Sequence, residues 1–147
     1  MRYIFFILLL IPWFLSTIIF PTDIAFYESL NLPFKIPGII FGIAWTTIYI
    51  LLAFSSYKII NKHGFNKEYI TILVINYIFN QLYTYFFFIL KSPFLGFVDS
   101  VIIFVTTIIL YYETKELDEK SSKLLLPYIF WDTFAVIYGL LVFFMNL

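Results

Sequence analysis

One face of an apolar stretch carries side chains that can form hydrogen bonds and stack on other rings. In NYIFNQLYTYFFF, four residues recur at spacings of four, three and four: Asn76, Asn80, Tyr83 and Phe87. That spacing predicts one face of a helix, with Gln81 beside it. Amides donate and accept hydrogen bonds and aromatic rings stack, so this face is a candidate ligand-binding surface. For Asn76 and Asn80 the alternative is a structural role, in which the amide bonds one helix to another.

Two other apolar stretches carry tryptophan in their interior. In FGIAWTTIY, Trp45 and Tyr49 lie one helical turn apart. In LLLPYIFWDTFAVIY, one helical stripe holds Trp131, Ala135 and Tyr138. Together with the helical face described above, these residues could line one pocket. The same stretches show no nucleophile or acid–base constellation, so ordinary hydrolytic catalysis is not indicated.

Two carboxyl groups also fall inside apolar stretches, where charge is costly. Three alternatives stay open for Asp132: it pairs with a buried donor such as a tyrosine hydroxyl, it is neutral, or it faces a wet cavity. A carboxylate disfavours a second carboxylate nearby, so Asp132 is not assigned as a group that binds an acidic ligand. Asp99 lies near the start of its stretch, which favours a helix N-terminal role.

The composition decides what surrounds these residues. Of 147 residues, 63% are hydrophobic and only 12% are charged, too few to coat a soluble domain of this length, so most of the chain lies in lipid. The chain has no cysteine, and His63 is its one histidine, so neither a metal site nor a resident cofactor is expected. The net charge is zero, which argues against nucleic acid as a partner.

Five hydrophobic stretches are long enough to cross a bilayer as helices, because about 20 apolar residues span its core. Backbone amides in lipid need partners within the same segment, so each span must be helical. The sequence therefore predicts one all-α domain over 1–147, an integral membrane bundle of five transmembrane helices. Its predicted spans are about 3–20, 38–60, 69–90, 94–112 and 124–145.

The distribution of basic residues predicts the orientation of the bundle. With five crossings, one side of the membrane holds seven basic residues, namely Arg2, Lys58, Lys62, Lys67, Lys115, Lys120 and Lys123. The other side holds Lys35 and Lys91. Basic residues accumulate in the cytoplasm, so we expect a cytoplasmic N-terminus with the first loop and the C-terminus outside. The first span is long and no small-residue cleavage site follows it, which favours a retained helix over a signal peptide.

Aromatic and small residues in the spans also have structural roles. Tryptophan and tyrosine usually mark the membrane interface, which is the role predicted for Trp13, Tyr57, Tyr69 and Tyr112. Trp45 and Trp131 lie roughly 10 Å inside their spans at a rise of 1.5 Å per residue, too deep for that belt. Gly42 and Gly139 are expected to be close-packing contacts between helices.

The order of these motifs along the chain resembles the TspO/translocator protein family. FYESLNLP followed by FGIAWTTIY resembles the first loop and second helix of that family, and NQLYTYFFF resembles its third helix. The family's fifth helix begins L-L-x-P-Y-x-x-W-x-x-F-A, and LLLPYIFWDTFA matches every named position. The resemblance covers roughly residues 20–146 and is greatest to members from Gram-positive bacilli.

The resemblance implies a five-helix bundle in a bacterial cell membrane, with a ligand pocket roofed by the first loop. It implies porphyrin or haem-type ligands, with lipid, sterol or benzodiazepine-type drugs as further classes, and a homodimer. By motif position the pocket would be lined by Tyr27, Trp45, Tyr49, Asn80, Tyr83, Trp131 and Ala135. The helical face described above adds Gln81 and Phe87 to this set.

Three functions follow from this resemblance. The leading hypothesis is a receptor that binds a tetrapyrrole for sensing, scavenging or transport. The alternative is an enzyme that degrades protoporphyrin IX in light, with Trp45 and Trp131 as its catalytic residues. A component of a small-molecule transporter is the third. Phe26 and Tyr83 stand where the family has tryptophan, which weakens the photochemical hypothesis more than the binding hypothesis.

Overall fold

The computed structural model describes residues 2–147, with side chains from Ile4 onward, and every regular element within this range is helical. The prediction of an all-α chain is therefore confirmed. The α-helices are α1 (Arg2–Leu10), α2 (Leu15–Ile19), α3 (Ile24–Ser29), α4 (Gly38–His63), α5 (Lys67–Thr84), α6 (Pro93–Leu117), α7 (Glu119–Ser122) and α8 (Leu126–Met145). Short 3₁₀ turns at Ile11–Phe14 and Lys123–Leu125 and a π-helical turn at Tyr85–Ile89 connect some of them.

Four helical segments are long and apolar enough to cross a membrane, which makes the chain a multi-pass membrane bundle. They are Gly38–His63, Lys67–Ile89, Pro93–Leu117 and Glu119–Met145. Each begins and ends within a few residues of its predicted span, with two exceptions. Pro93–Leu117 ends five residues after its predicted span, and Glu119–Met145 begins five residues before its predicted span. The apolar helical segment Ile4–Ile19 is shorter than these four, and the 3₁₀ turn around Pro12 interrupts it.

Local signals in the sequence place the helix boundaries. Asn66 caps α5, because its side chain accepts a hydrogen bond from the Tyr69 amide at 2.9 Å. Ser92 caps α6 in the same way, and Pro93 follows in the first turn, where its missing amide costs little. Asp99 therefore does not have the N-terminal role predicted for it. Gly64 ends α4 at φ 70°, a backbone conformation that favours glycine.

The first apolar segment packs across the groove between α4 and α5, since α1 contacts α4 and α2 contacts α5. Trp13 lies between these helices, with ring centroids 5.6 Å from Tyr49 and 5.1 Å from Tyr77. Trp13 is only 4% exposed, so its ring packs inside the protein, and its interfacial depth stays a prediction. Tyr69 was assigned to the same belt but is also buried, and its hydroxyl donates to Ser56 at 2.8 Å.

Helix α6 packs against both α5 and α8, and Asn76 joins the three helices. The Asn76 amide nitrogen donates to the hydroxyls of Thr106 at 2.9 Å and Thr107 at 3.0 Å, and to the Ile103 carbonyl at 3.4 Å. Its carbonyl oxygen accepts the Tyr128 hydroxyl from α8 at 3.1 Å. Asn76 is fully buried, and these bonds satisfy its amide without water.

Two glycines pack against neighbouring residues inside the bundle, and only one of these contacts requires glycine. A Cβ added at Gly96 would lie 2.6 Å from Cδ2 of Phe87, so only glycine lets that ring pack on α6. A Cβ added at Gly139 would lie 3.6 Å from the Phe97 Cα, which is ordinary contact and agrees with the predicted packing role. The same role is wrong for Gly42 within this chain, because nothing lies within 4 Å of its Cβ position.

We expect Asn76→Leu to destabilise the bundle by about 2 kcal/mol, because it keeps the number of side-chain heavy atoms and removes four interhelical bonds worth about 0.6 kcal/mol each. The measurement is the unfolding free energy in detergent micelles. Thr133→Val is the matched control, since Thr133 is exposed and its hydroxyl bonds only to the Ile129 carbonyl of its own helix. Equal stability of the two variants would contradict a structural role for Asn76.

Candidate ligand-binding site

Five residues from three helices form a contiguous group that we call the inner cluster: Trp45, Tyr49, Asn80, Tyr128 and Trp131. The Trp45 ring lies 5.4 Å from Tyr49 on its own helix. It also meets two rings of α8 at steep angles, Tyr128 at 6.1 Å and Trp131 at 6.3 Å. Edge-to-face packing of this kind is favourable for aromatic pairs, so the two tryptophans hold a fixed relative orientation.

Hydrogen bonds fix the polar atoms of the inner cluster. The Tyr49 hydroxyl donates to Oδ1 of Asn80 at 2.9 Å, and Nδ2 of Asn80 donates to the Tyr128 hydroxyl at 3.1 Å. Tyr128 in turn donates to Asn76, so the cluster and the interhelical network form one chain of bonds. Because each of these hydroxyl and amide groups has a partner, the side chains of Tyr49, Asn80 and Tyr128 cannot rotate independently.

Gln81 lies next to the inner cluster but bonds mainly to the first apolar segment. Its Oε1 accepts the Ser16 amide at 2.7 Å, and its Nε2 lies 3.3 Å from both the Trp13 carbonyl and Oδ1 of Asn80. These contacts satisfy backbone groups near the 3₁₀ turn that interrupts the first segment. Gln81 therefore anchors this segment to α5, beside the site to which the sequence assigned it.

A second group lies beneath the first loop, and we call it the outer cluster: Phe26, Tyr27, Tyr83, Phe87 and Tyr138. The Tyr83 and Phe87 rings stack at 5.7 Å with 9° between their planes. From α3, the Phe26 ring packs on Phe87 at 5.6 Å, and the Tyr27 hydroxyl lies 3.2 Å from that of Tyr138. Helix α3 thus bridges the ends of α5 and α8.

A row of rings on α8 connects the two clusters. Phe134 lies 5.4 Å from Trp131 and 5.7 Å from Tyr138, and half-buried Ala135 occupies the same stretch of the helix. Phe34 from the first loop packs on this row, 6.4 Å from Phe134 and 5.3 Å from Tyr138. The row forms a continuous aromatic wall from the middle of the bundle to the loop.

Hydrogen bonds hold the first loop over this wall. The Tyr138 hydroxyl donates to the Phe34 carbonyl at 2.9 Å. Asn31 and Asn146 form a reciprocal pair, in which the Asn31 amide donates to Oδ1 of Asn146 and Nδ2 of Asn146 donates to the Asn31 carbonyl, both at 2.9 Å. Entry of a ligand from this end would break these contacts.

The link between α5 and α6 also holds the loop. Lys91 adopts a positive φ of 50°, which is strained for a residue with a side chain. Its ammonium group lies 2.9 Å from the Asp23 carboxylate and 5.9 Å from the centre of the Phe26 ring. The backbone amide of Phe26, followed by Lys91, lowers the pKa of Asp23 below its ordinary value of 3.8. Asp23 is thus a charged cap for α3.

Two carboxyl groups are buried near the clusters. Asp132 is 2% exposed, with one oxygen without a hydrogen-bond partner among the described residues. The Thr107 side chain lies beside this carboxyl group. Asp99 is 1% exposed, and neither oxygen has a partner within residues 2–147. Across the same residues, no group of three or more histidine, cysteine or acidic side chains is placed to hold a metal ion.

The structure divides the predicted site residues into four sets. Most belong to the inner cluster (Trp45, Tyr49, Asn80, Trp131) or to the outer cluster (Tyr27, Tyr83, Phe87), Ala135 lies along the row between them, and Gln81 faces the first segment. Sequence reasoning missed Tyr128 and Phe134, which complete the inner cluster and the row. Both lie three residues from Trp131, so the helical stripe already used for Ala135 would have found them.

Comparison with known proteins gives a consistent result. The family model of the TspO/MBR family matches residues 4–144. The tryptophan-rich protein TspO of Bacillus cereus is 36% identical over 84% of this chain and 82% of its own length. An uncharacterized membrane protein of Bacillus subtilis, YtaB, is 33% identical over 88% and 85%, and the tryptophan-rich protein TspO of Archaeoglobus fulgidus is 30% identical over 83% and 80%.

We expect Asp23→Ala to increase amide hydrogen exchange in α3 about fivefold, because both the helix cap and the Lys91 ion pair are lost. Asp23→Asn is the matched variant, since asparagine keeps the cap and removes only the charge, and its exchange should be intermediate. Folding lowers the pKa of Asp23 below its ordinary value of 3.8. The charged carboxylate therefore stabilises α3 fully above pH 3.8, and this stabilisation is lost as the pH falls below that value. Acid should therefore loosen α3 in the wild type, and an equal response in Asp23→Ala would contradict this assignment.

Proposed function

The chain belongs to the TspO/MBR family, and on that basis we propose that it is a membrane receptor for porphyrins and related flat hydrophobic ligands. Its role would be tetrapyrrole sensing, scavenging or transport. The observation that supports this most directly is the pairing of Trp45 and Trp131 in the membrane interior, 6.3 Å apart at the end of a continuous aromatic row. Flat apolar ligands gain most from such surfaces.

We propose that the ligand lies along the aromatic wall of α8, with the inner cluster at its deep end and the outer cluster beneath the loop. The proposed ligand-binding residues are Tyr27, Trp45, Tyr49, Asn80, Tyr83, Phe87, Trp131 and Ala135, with Gln81 supporting them from behind. The loop contacts of Phe34 and Tyr138 occupy the entrance, so their opening admits the ligand. Nδ2 of Asn80 donates one N–H to Tyr128, and its second N–H would orient a polar edge of the ligand.

We further propose that residues 1–147 form one domain that crosses the membrane five times and assembles as a homodimer. The N-terminus would be cytoplasmic, and the first loop and C-terminus would be outside. The chain lacks cysteine, so single cysteines report the topology cleanly. In intact cells, a membrane-impermeant maleimide should label Lys35→Cys and should label His63→Cys only after permeabilisation. The reverse pattern would contradict this orientation. Both positions are exposed.

We expect Trp131→Ala to raise the Kd for protoporphyrin IX about tenfold, since a stacking surface of this kind contributes about 1 kcal/mol or more. Binding is measured in detergent by quenching of tryptophan fluorescence and by the shift of the porphyrin absorbance band. Phe130→Ala is the matched control, because Phe130 is the preceding aromatic residue on α8 and is 77% exposed. Asn80→Ala should weaken binding as well. If Trp131→Ala, Asn80→Ala and Phe130→Ala all gave the same Kd for protoporphyrin IX, the ligand would bind elsewhere.

A second candidate function is light-dependent degradation of protoporphyrin IX. It is favoured by the oxidisable tyrosine and tryptophan rings that surround Trp45. That ring contacts Tyr49, Tyr128 and Trp131 within 6.3 Å. Illumination of the same complexes in air separates the two functions. New product bands that Trp131→Phe suppresses would support an enzyme, while unchanged spectra in dark and light would leave a binding protein.

A further inference from the structure

A cavity of about 600 Å³ lies at the opposite end of α4 from the inner cluster, and we call it the basic pocket. Its lining residues are Tyr57, Lys58, Asn61, Lys62, Asp118 and Lys120. Tyr57 is twelve residues beyond Trp45, about 18 Å along the helix at 1.5 Å per residue, so the pocket is separate from the proposed porphyrin site. It lies where the apolar helix α4 ends and polar residues begin.

The basic pocket carries excess positive charge. Three lysines face one carboxylate, so two positive charges remain in excess. The carboxylate of Asp118 is already engaged, since it lies 3.2 Å from Lys62 and accepts both the backbone amide and the hydroxyl of Ser121. Lys58 and Lys120 have no ion pair among residues 2–147. These two ammonium groups are therefore available to an anion in the pocket.

An apolar strip leads from the basic pocket along the lipid-facing surface. Tyr57 stacks on Phe54 at 6.5 Å with 10° between the rings, and Phe6 of α1 meets Tyr57 edge-on at 6.4 Å. Phe54 is 43% exposed, and Ile50, one turn further along α4, is also 43% exposed. The ammonium group of Lys58 lies 5.7 Å from the Phe54 ring, so charge and apolar surface adjoin directly.

We propose that the basic pocket binds the phosphate headgroup of an anionic phospholipid, whose acyl chains lie along the strip formed by Phe6, Phe54 and Ile50. Lysine ammonium groups bind phosphate as point charges, and basic pockets between transmembrane helices are suited to anionic headgroups. The adjoining apolar strip favours a lipid over free phosphate, because phosphate alone would leave it unused. The Asn61 amide can donate to headgroup oxygens.

This proposal depends neither on porphyrin binding nor on the proposed orientation of the bundle. The volume of the pocket is within the range of small-molecule sites, which is sufficient for a glycerophosphate headgroup. Tyr57 supports the same placement, because tyrosine side chains favour the level of the headgroups.

Native mass spectrometry of the full chain in neutral detergent tests the proposal. The probes are phosphatidylglycerol and phosphatidylcholine with identical acyl chains, and inorganic phosphate is added as a competitor. We expect one phosphatidylglycerol to bind per chain in preference to phosphatidylcholine. The double variant Lys58→Gln/Lys120→Gln should weaken this binding roughly 30-fold, because each lysine near a lipid headgroup contributes about 1 kcal/mol.

Lys67→Gln/Lys115→Gln is the matched control, since both lysines are exposed on the same side of the bundle but do not line the pocket. Its affinity for phosphatidylglycerol should equal that of the wild type. Circular dichroism is used to check that both double variants are folded. If both double variants lost phosphatidylglycerol binding equally, the lysines would act only through general charge attraction, and the proposal would be overturned. Equal binding of the two lipids, or full displacement by inorganic phosphate, would overturn it as well.

Discussion

The structure depends on one constraint: a polar group inside a lipid-embedded bundle must find its partner within the protein. Asn76 meets this constraint by bonding to α6 and α8 at once, and Tyr128 extends the chain of bonds to Asn80 and Tyr49. These bonds join the four long helices through their centre. The inner cluster is therefore held by the same interactions that hold the bundle, so the positions of its rings are set by the fold.

The two ends of the bundle differ in their chemistry. At the end that carries the first loop, neutral hydrogen bonds and ring contacts close the structure over an aromatic wall, and one ion pair between Asp23 and Lys91 fastens it. At the other end, lysines surround an open pocket beside an apolar strip. This asymmetry agrees with the two proposals made above, an apolar ligand bound at the loop end and an anionic headgroup bound at the other end.

Sequence reasoning was most successful where a physical requirement acts on a local segment. The length of the apolar stretches predicted the four long helices, and helical spacing correctly placed Asn76 and Asn80 on one buried face. It failed where a residue's surroundings come from distant parts of the chain. The sequence does not show that the Trp13 ring packs between α4 and α5. Gln81 lies beside the predicted helical face, but it bonds to a segment 65 residues earlier.

The sequence by itself determined that this chain lies in lipid, that it is helical, and which side chains stand on common helical faces, because these properties follow from composition and from the period of one helix. Only the tertiary structure decided which faces meet. The pairing of Trp45 with Trp131, the bridge of Tyr27 to Tyr138 and the basic pocket each join residues more than 50 positions apart. The physical reason is that helix packing depends on side-chain shape and mutual hydrogen bonding, which no single segment contains.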